Sequence, residues 1–208
     1  MSGSRVIHIV DDDDAVRQSL VFLLSSAGLA VRVYDSATAF LASLGSIQGG
    51  CLITDVRMPD MTGIELLHQM RMRACNLPAI VITGHGDVPL AVEAMKAGAI
   101  DFIEKPFDEE AILNAVQAAL ERGGDGEGGD VAAVAAKLAS LSERERQVLE
   151  GLIAGHPNKT IAYDLGISPR TVEVYRANLM AKMQAKSLSE LIRMTILAQV
   201  SPARRAAK

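Results

Sequence analysis

The chain has 208 residues, 49% apolar and 22% charged, with a formal net charge of −4; such a chain can bury one large core or two small ones. No apolar run approaches the ~20 residues of a membrane span, and no basic stretch followed by an apolar one marks a signal peptide. Trp is absent and aromatics are 3%, which argues against a stacking platform for single-stranded nucleic acid.

The two cysteines, Cys51 and Cys75, lack metal-ligand spacing and point to a reduced, cytoplasmic protein rather than a disulfide scaffold. Charge is unevenly spread. Residues 1–139 carry 10 Lys and Arg against 19 Asp and Glu, a balance of −9, whereas residues 140–208 carry 11 against 6, a balance of +5. An acidic half suits a metal, and a basic half suits nucleic acid.

Strand-like runs fall near 6–10, 30–34, 50–54, 79–83 and 100–104. Helical stretches fall near 14–27, 36–44, 63–73, 87–97 and 108–121. The first and third runs are short, apolar and rich in β-branched residues, as buried parallel strands are. Val16, Leu20, Leu23 and Leu24 share one face of the first helix. Strict alternation predicts an α/β fold, a parallel sheet with helices on both faces.

Residues 122–130 hold five glycines in nine positions, the composition of a flexible linker, and a short Ala- and Val-rich helix is expected over 131–139. From 140 onward the pattern is helical only. Ser142-x-x-Glu145 is a capping box that starts a helix, and Gly155 ends it. A second helix spans roughly 158–165 and stops at Gly166. Ser168 caps a third, with Pro169 at its first position. Ser187 caps a fourth, expected to reach about Gln199, with a frayed tail beyond Ser201. The expected division is 1–121, a linker over 122–139, and a second domain over 140–208.

The candidate chemistry sits at strand ends. Asp11 and Asp12 follow the first strand, Asp55 the third, Thr83 closes the fourth and Lys105 the fifth. In an open α/β sheet, side chains at the carboxyl ends of neighbouring strands share one crevice. Carboxylates crowded there need a positive partner, and a hard divalent cation with oxygen ligands, Mg²⁺, is the expected one. Asp55 is then a nucleophile that accepts a phosphoryl group. Asp12, assisted by Asp11, holds the metal, while Thr83 and Lys105 grip phosphoryl oxygens. Singly, each residue has an ordinary explanation. Asp13 and Asp14 read as a helix cap and a first-turn charge, Lys-Pro as a turn, and a strand-ending Thr as structural. Their joint placement at four strand ends is what points to a site.

In the second half, 158–183 fits a helix-turn-helix. Val172, Tyr175, Leu179 and Met183 recur at helical spacing and should face the core. Arg170, Glu173, Val174 and Ala177 then face outward, as a recognition helix in the major groove requires. Glu173 can accept from cytosine N4, and Val174 or Ala177 can touch a thymine methyl. Lys159, Arg170, Arg176 and Lys182 are expected mainly on phosphates, with Thr160 and Thr171 completing the candidate DNA-binding set.

From about Arg5 to Leu120 the sequence resembles the receiver domain of bacterial response regulators. The resemblance rests on Val10-Asp11-Asp12-Asp13, the segment from Asp55 to Gly63, Thr83-Gly84 and Lys105-Pro106-Phe107. It implies a doubly wound, flavodoxin-like five-stranded sheet in 2-1-3-4-5 order. It makes Asp55 the phosphoacceptor, with Asp11, Asp12, Asp55 and the backbone carbonyl of Arg57 around the metal. It makes Thr83 and Lys105 the switch hydroxyl and the phosphate-binding lysine, and Phe102 the switch aromatic.

Residues 140–200 resemble the LuxR-type DNA-binding domain of the NarL/FixJ family, through Leu141-Ser142-x-Arg144-Glu145, Asn158-Lys159-x-Ile161-Ala162 and Ile167-Ser168-x-x-Thr171-Val172. Closeness to the FixJ branch implies a phosphorylation-dependent activator of nitrogen-fixation or microaerobic genes. Its partners would be a FixL-like sensor histidine kinase, double-stranded promoter DNA and RNA polymerase. Tyr175 stands where many relatives carry His, and the glycine-rich linker is unusual. A two-fold contact is expected through Ala91, Val92, Met95, Lys96, Ile100 and Asp101, and the family commonly pairs its last helix, here Leu188, Leu191, Ile192 and Thr195.

Two rivals stay open. A haloacid-dehalogenase-like phosphatase carries its nucleophile on the first strand and a second Asp two residues later, a spacing that Asp11 and Asp13 meet. The matches around Asp55 and the lack of a cap insertion argue against it. The other rival is an interaction module whose acidic site never takes phosphate.

Overall fold

A computed structural model describes residues 5–84, 88–122, 131–185 and 187–205. The glycine-rich stretch 123–130, the start of the expected 87–97 helix and the last three residues of the tail lie outside the described residues. The chain forms two compact units, one of residues up to 86 and 97–127, the other of 87–96 and the chain from 128 onward.

The first unit holds a five-stranded parallel sheet in the order β2-β1-β3-β4-β5. The strands are β1 (Val6–Val10), β2 (Ala30–Tyr34), β3 (Gly50–Asp55), β4 (Ala79–Thr83) and β5 (Asp101–Glu104). β1 sits between β2 and β3, with Ile9 level with Val33 and Ile53. The central strands β1, β3 and β4 are buried almost throughout, whereas the edge strand β2 is largely exposed. That is why the central runs are apolar without alternation while β2 carries Arg32.

One face of the sheet presents Ile7, Ile9, Cys51, Ile53, Ile80 and Ile82 to a core shared with Leu20, Leu24, Ile112 and Val116. The last four come from helices α1 (Asp14–Ser26) and α5 (Glu109–Arg122). The other helices of the alternating series are α2 (Ala37–Ser43), α3 (Gly63–Met72) and α4 (Val88–Ala97), the last grouped up to Lys96 with the second unit. Asp13 caps α1 by accepting from the Ala15 N–H, as read from sequence. A 3-10 turn, Leu44–Ser46, was not foreseen; three residues carry too little pattern to announce one.

The second unit contains α6 (Val131–Ala139), α7 (Glu143–Ile153), α8 (Asn158–Leu165), α9 (Pro169–Met183) and α10 (Leu188–Arg205). Ser142 and Glu145 form the full capping box on α7. Gly166, at φ 64°, ends α8 in the left-handed conformation that glycine adopts without strain. Ser168 caps α9 by accepting from the Thr171 N–H, with Pro169 in the first turn. Val148, Leu149, Leu152, Ile161, Val172, Leu179, Met183 and Leu191 form the core.

Val134 and Leu138 pack against that core, so the helix within the segment read as linker belongs to this unit's packing. α10 continues to Arg205, past the expected end near Gln199; Ala203, Arg204 and Arg205 are good helix formers.

Candidate functional site

The strand order brings the carboxyl ends of β1, β3, β4 and β5 to one rim. Asp11, just beyond β1, is 1% exposed, Asp55 at the end of β3 is 6%, and Thr83 at the end of β4 is 1%. The Lys105 ammonium lies between the two acids, 2.8 Å from Asp11 Oδ2 and 2.7 Å from Asp55 Oδ1. The Lys105 ammonium is thus one positive group that joins the buried carboxylates. The Lys105 N–H donates to the Thr83 carbonyl at 2.7 Å, and the Lys105–Pro106 peptide is cis.

The remaining oxygens are also held. Asp55 Oδ2 accepts from the Arg57 N–H, and Asp11 Oδ1 from the Asp13 N–H at 2.9 Å. Arg17, which the sequence did not single out, donates to the Asp11 backbone carbonyl at 2.7 Å and pairs with Asp14. Burial pushes the Asp11 carboxyl above its ordinary value, against the opposing pull of Lys105 and the Asp13 N–H. Burial works against the Lys105 charge, but its bonds to Asp11 and Asp55 prevail and raise its pKa. Asp12 is exposed at the same rim. Among the described residues no three His, Cys, Asp or Glu side chains stand together as a ready metal cluster.

Two glycine and aromatic positions bear on the site. A Cβ on Gly63 would lie 2.2 Å from the Asp55 carbonyl oxygen, so the segment after Asp55 can fold back only with glycine there. Phe102 is half-buried on β5.

In the second unit, Arg170, Glu173, Val174 and Ala177 lie exposed on α9, with Val174 at 56%. Val172, Leu179 and Met183 are buried, and Tyr175 packs partly against the core. Lys159 and Thr160 on α8 are exposed, and Thr171 is half-buried with its hydroxyl 2.8 Å from that of Ser168. Two of the expected phosphate contacts are engaged within the protein. Arg176 donates to Asn158 Oδ1 at 3.0 Å, and Lys182 Nζ lies 2.7 Å from Glu145 Oε2. Glu145 stands in the sequence as half of a capping box and as part of a family motif, and nothing in a linear pattern ties it to a residue 37 positions away.

The residues expected at two-fold contacts are mostly covered by the chain itself. Ala91, Val92 and Met95 are buried, Lys96 is exposed, and Ile100 and Asp101 are half-buried. On α10, Leu191, Ile192 and Thr195 are buried and Leu188 is half-buried.

A sheet of this order with an acidic rim, followed by a capped helix-turn-helix, defines a class that family comparison identifies. The response regulator receiver domain matches residues 7–117, and the bacterial regulatory proteins of the luxR family match residues 139–195. The chain belongs to the response regulators that join a receiver domain to a LuxR-type DNA-binding domain, and it is a transcriptional regulator. That pairing implies a sensor kinase and promoter DNA as partners.

The chain is similar to the transcriptional regulatory protein FixJ of Azorhizobium caulinodans, with 59% identity over 98% of this chain and 97% of that one. FixJ of Rhizobium meliloti is 56% identical over 94% and 97%. Among solved structures, full-length FixJ from B. japonicum is 52% identical, with a TM-score of 0.55 covering 94% of this chain and 97% of that chain. Among the described residues no helix is long and apolar enough to cross a membrane.

Proposed function

We propose that Asp55 accepts a phosphoryl group from a FixL-like sensor histidine kinase, and that this event governs promoter binding by α8 and α9. The observation that carries the reading is Lys105 bonded at once to Asp11 and Asp55 in a nearly dry rim closed by Thr83. An Asp55 oxygen attacks phosphorus as the P–N bond of a phosphohistidine breaks, and the imidazole leaves with a proton from solvent. Lys105, already on Asp55, can follow the charge onto the new phosphoryl oxygens, and the Thr83 hydroxyl would donate to another of them. Phe102 then fills the space that Thr83 leaves.

The donor set fits Mg²⁺: one ammonium balances only one of two buried carboxylates, and every available ligand is a hard oxygen. Asp11, Asp12, Asp55 and the Arg57 carbonyl would hold it, and when bound it neutralises charge on the transferring group. The protein is a phosphoacceptor, with slow self-dephosphorylation at most, rather than a phosphatase with turnover.

The receiver occupies 1–121 and the reader 140–208; of the segment between them, α6 packs on the reader's core. The output is a homodimer on promoter DNA that works with RNA polymerase in the cytoplasm, activating nitrogen-fixation or microaerobic genes as the FixJ resemblance suggests. Pairing is proposed through the faces that carry Ala91, Val92 and Met95 on α4 and Leu191, Ile192 and Thr195 on α10.

Intact-mass measurement after incubation with acetyl phosphate and MgCl₂ tests the reading. One phosphoryl adduct is expected in the wild type and none in Asp55→Asn. An adduct that survives Asp55→Asn, or multiple turnover of a phosphomonoester, would overturn it.

A further inference from the structure

The last turn of α9 is held by two charge-assisted contacts. Lys182 Nζ reaches Glu145 Oε2 at 2.7 Å, and Lys137 Nζ on α6 donates to the Met183 carbonyl at 3.2 Å. Glu145 Oε2 also accepts from the Ser142 N–H at 2.7 Å and its hydroxyl at 2.8 Å. The Glu145 side chain is 6% exposed and that of Lys182 is 43%. If Lys182 swung away to meet a phosphate, the buried Glu145 would lose its only charged partner among those contacts. Leaving a buried charge uncompensated is the costly half of breaking an ion pair.

The apolar side of α9 cannot supply the same control. Val172, Leu179 and Met183 bury against α7 and α8, but apolar contact is non-directional and tolerates small rotations about the helix axis. A bond from one atom of α9 to one buried atom of α7 fixes that rotation. Arg170 and Glu173, exposed at the start of α9, are about 3.3 and 2.5 turns away from Lys182, about 18 and 14 Å along the helix. A roll set at one end is transmitted rigidly to the residues that face DNA.

Taking α9 as the base-reading helix, we propose that Lys182 is a positioning residue. Anchored on Glu145, it sets the rotation of α9 and thereby base discrimination, and it does not neutralise a DNA phosphate.

The test uses full-length protein treated with acetyl phosphate, and a duplex that the wild type selects from a random pool. Affinities for that duplex and for single-base-pair variants are measured over a range of KCl. Lys182→Met is expected to keep the wild-type salt slope while its discrimination between duplexes falls on the order of tenfold, the worth of one good base contact. Lys182→Arg should restore discrimination. Glu145→Gln should reproduce the loss and add little in the double variant.

A salt slope reduced by about 0.9, the signature of one lost phosphate contact, would overturn the proposal. So would an equal loss of affinity for every duplex, which marks a structural role alone. If Lys182→Met does not fold, Lys182→Ala, whose side chain cannot reach Glu145, carries the same comparison. If the wild type enriches no duplex, the base-reading role of α9 fails, and that failure is visible before any variant is made.

Discussion

Each unit of the molecule contains a lysine bonded to buried carboxylate, and the two clusters differ in their charge balance. Lys105 faces two acids, Asp11 and Asp55, so this buried trio keeps one negative charge in excess, and burial holds the Asp11 carboxyl above its ordinary value. Lys182 faces one acid, Glu145, which also has two donors from Ser142. Lys182 and the Ser142 N–H pull its carboxyl down to about 2. The same ion-pair chemistry thus yields a site that calls for another cation in one place and a closed strut in the other.

Removing the lysine from the rim should break this comparison most severely. Lys105→Met leaves two buried carboxylates facing each other, and a loss of about 3 kcal/mol in unfolding free energy is expected. Urea denaturation at neutral pH checks it. Millimolar MgCl₂ should recover much of the loss, because an ion that binds only the folded state stabilises it by mass action. A variant whose urea midpoint ignores MgCl₂ would show that the rim does not want a divalent cation.

The pH dependence should sharpen the contrast, since the two acids have opposite signs. The folded pKa of Asp11 lies above its unfolded value of 3.8. Its charge therefore opposes folding at neutral pH, and the penalty vanishes below 3.8. Asp11→Asn should raise stability at pH 7, with the gain shrinking as the pH falls toward 3.8. Glu145 is lowered from 4.5 to about 2, so it stabilises the fold above 4.5 and loses that contribution between 4.5 and about 2. Glu145→Gln should cost about 2 kcal/mol at pH 7, and the cost should start to fade as the pH drops below 4.5. Urea midpoints of wild type and both variants over the acid range decide the signs.

Much of this was legible in the chain itself. The five strands and their alternation with helices follow from local apolar runs and turn residues, as do the caps at Asp13, Ser142 and Ser168. Asp11, Asp55, Thr83 and Lys105 could be named together because a parallel sheet sends strand ends to one rim whatever the loops do. Partnerships between distant polar groups were not legible. Nothing in the sequence pairs Lys182 with Glu145, Arg176 with Asn158 or Arg17 with the Asp11 carbonyl, because such bonds depend on helix rotation and side-chain rotamers, which periodicity does not specify. Burial of Ala91, Val92 and Met95 was not legible either, since the same helical spacing serves a core and a contact face.

The smallest effect separates two capping boxes of identical chemistry. Thr62 and Glu65 form one on α3, with the same reciprocal bonds that Ser142 and Glu145 form on α7. Backbone and hydroxyl bonds from Thr62 lower the Glu65 pKa, but Glu65 is exposed and its cap bonds run to Thr62 alone. Water can replace what the cap loses there, whereas nothing can replace Lys182 beside a buried oxygen. Glu65→Gln should therefore leave the urea midpoint within the scatter of the measurement while Glu145→Gln moves it clearly. If the two substitutions shift the midpoint equally, the helix cap rather than the Lys182 link accounts for the stability at Glu145, and the strut in the DNA-binding unit loses its energetic basis.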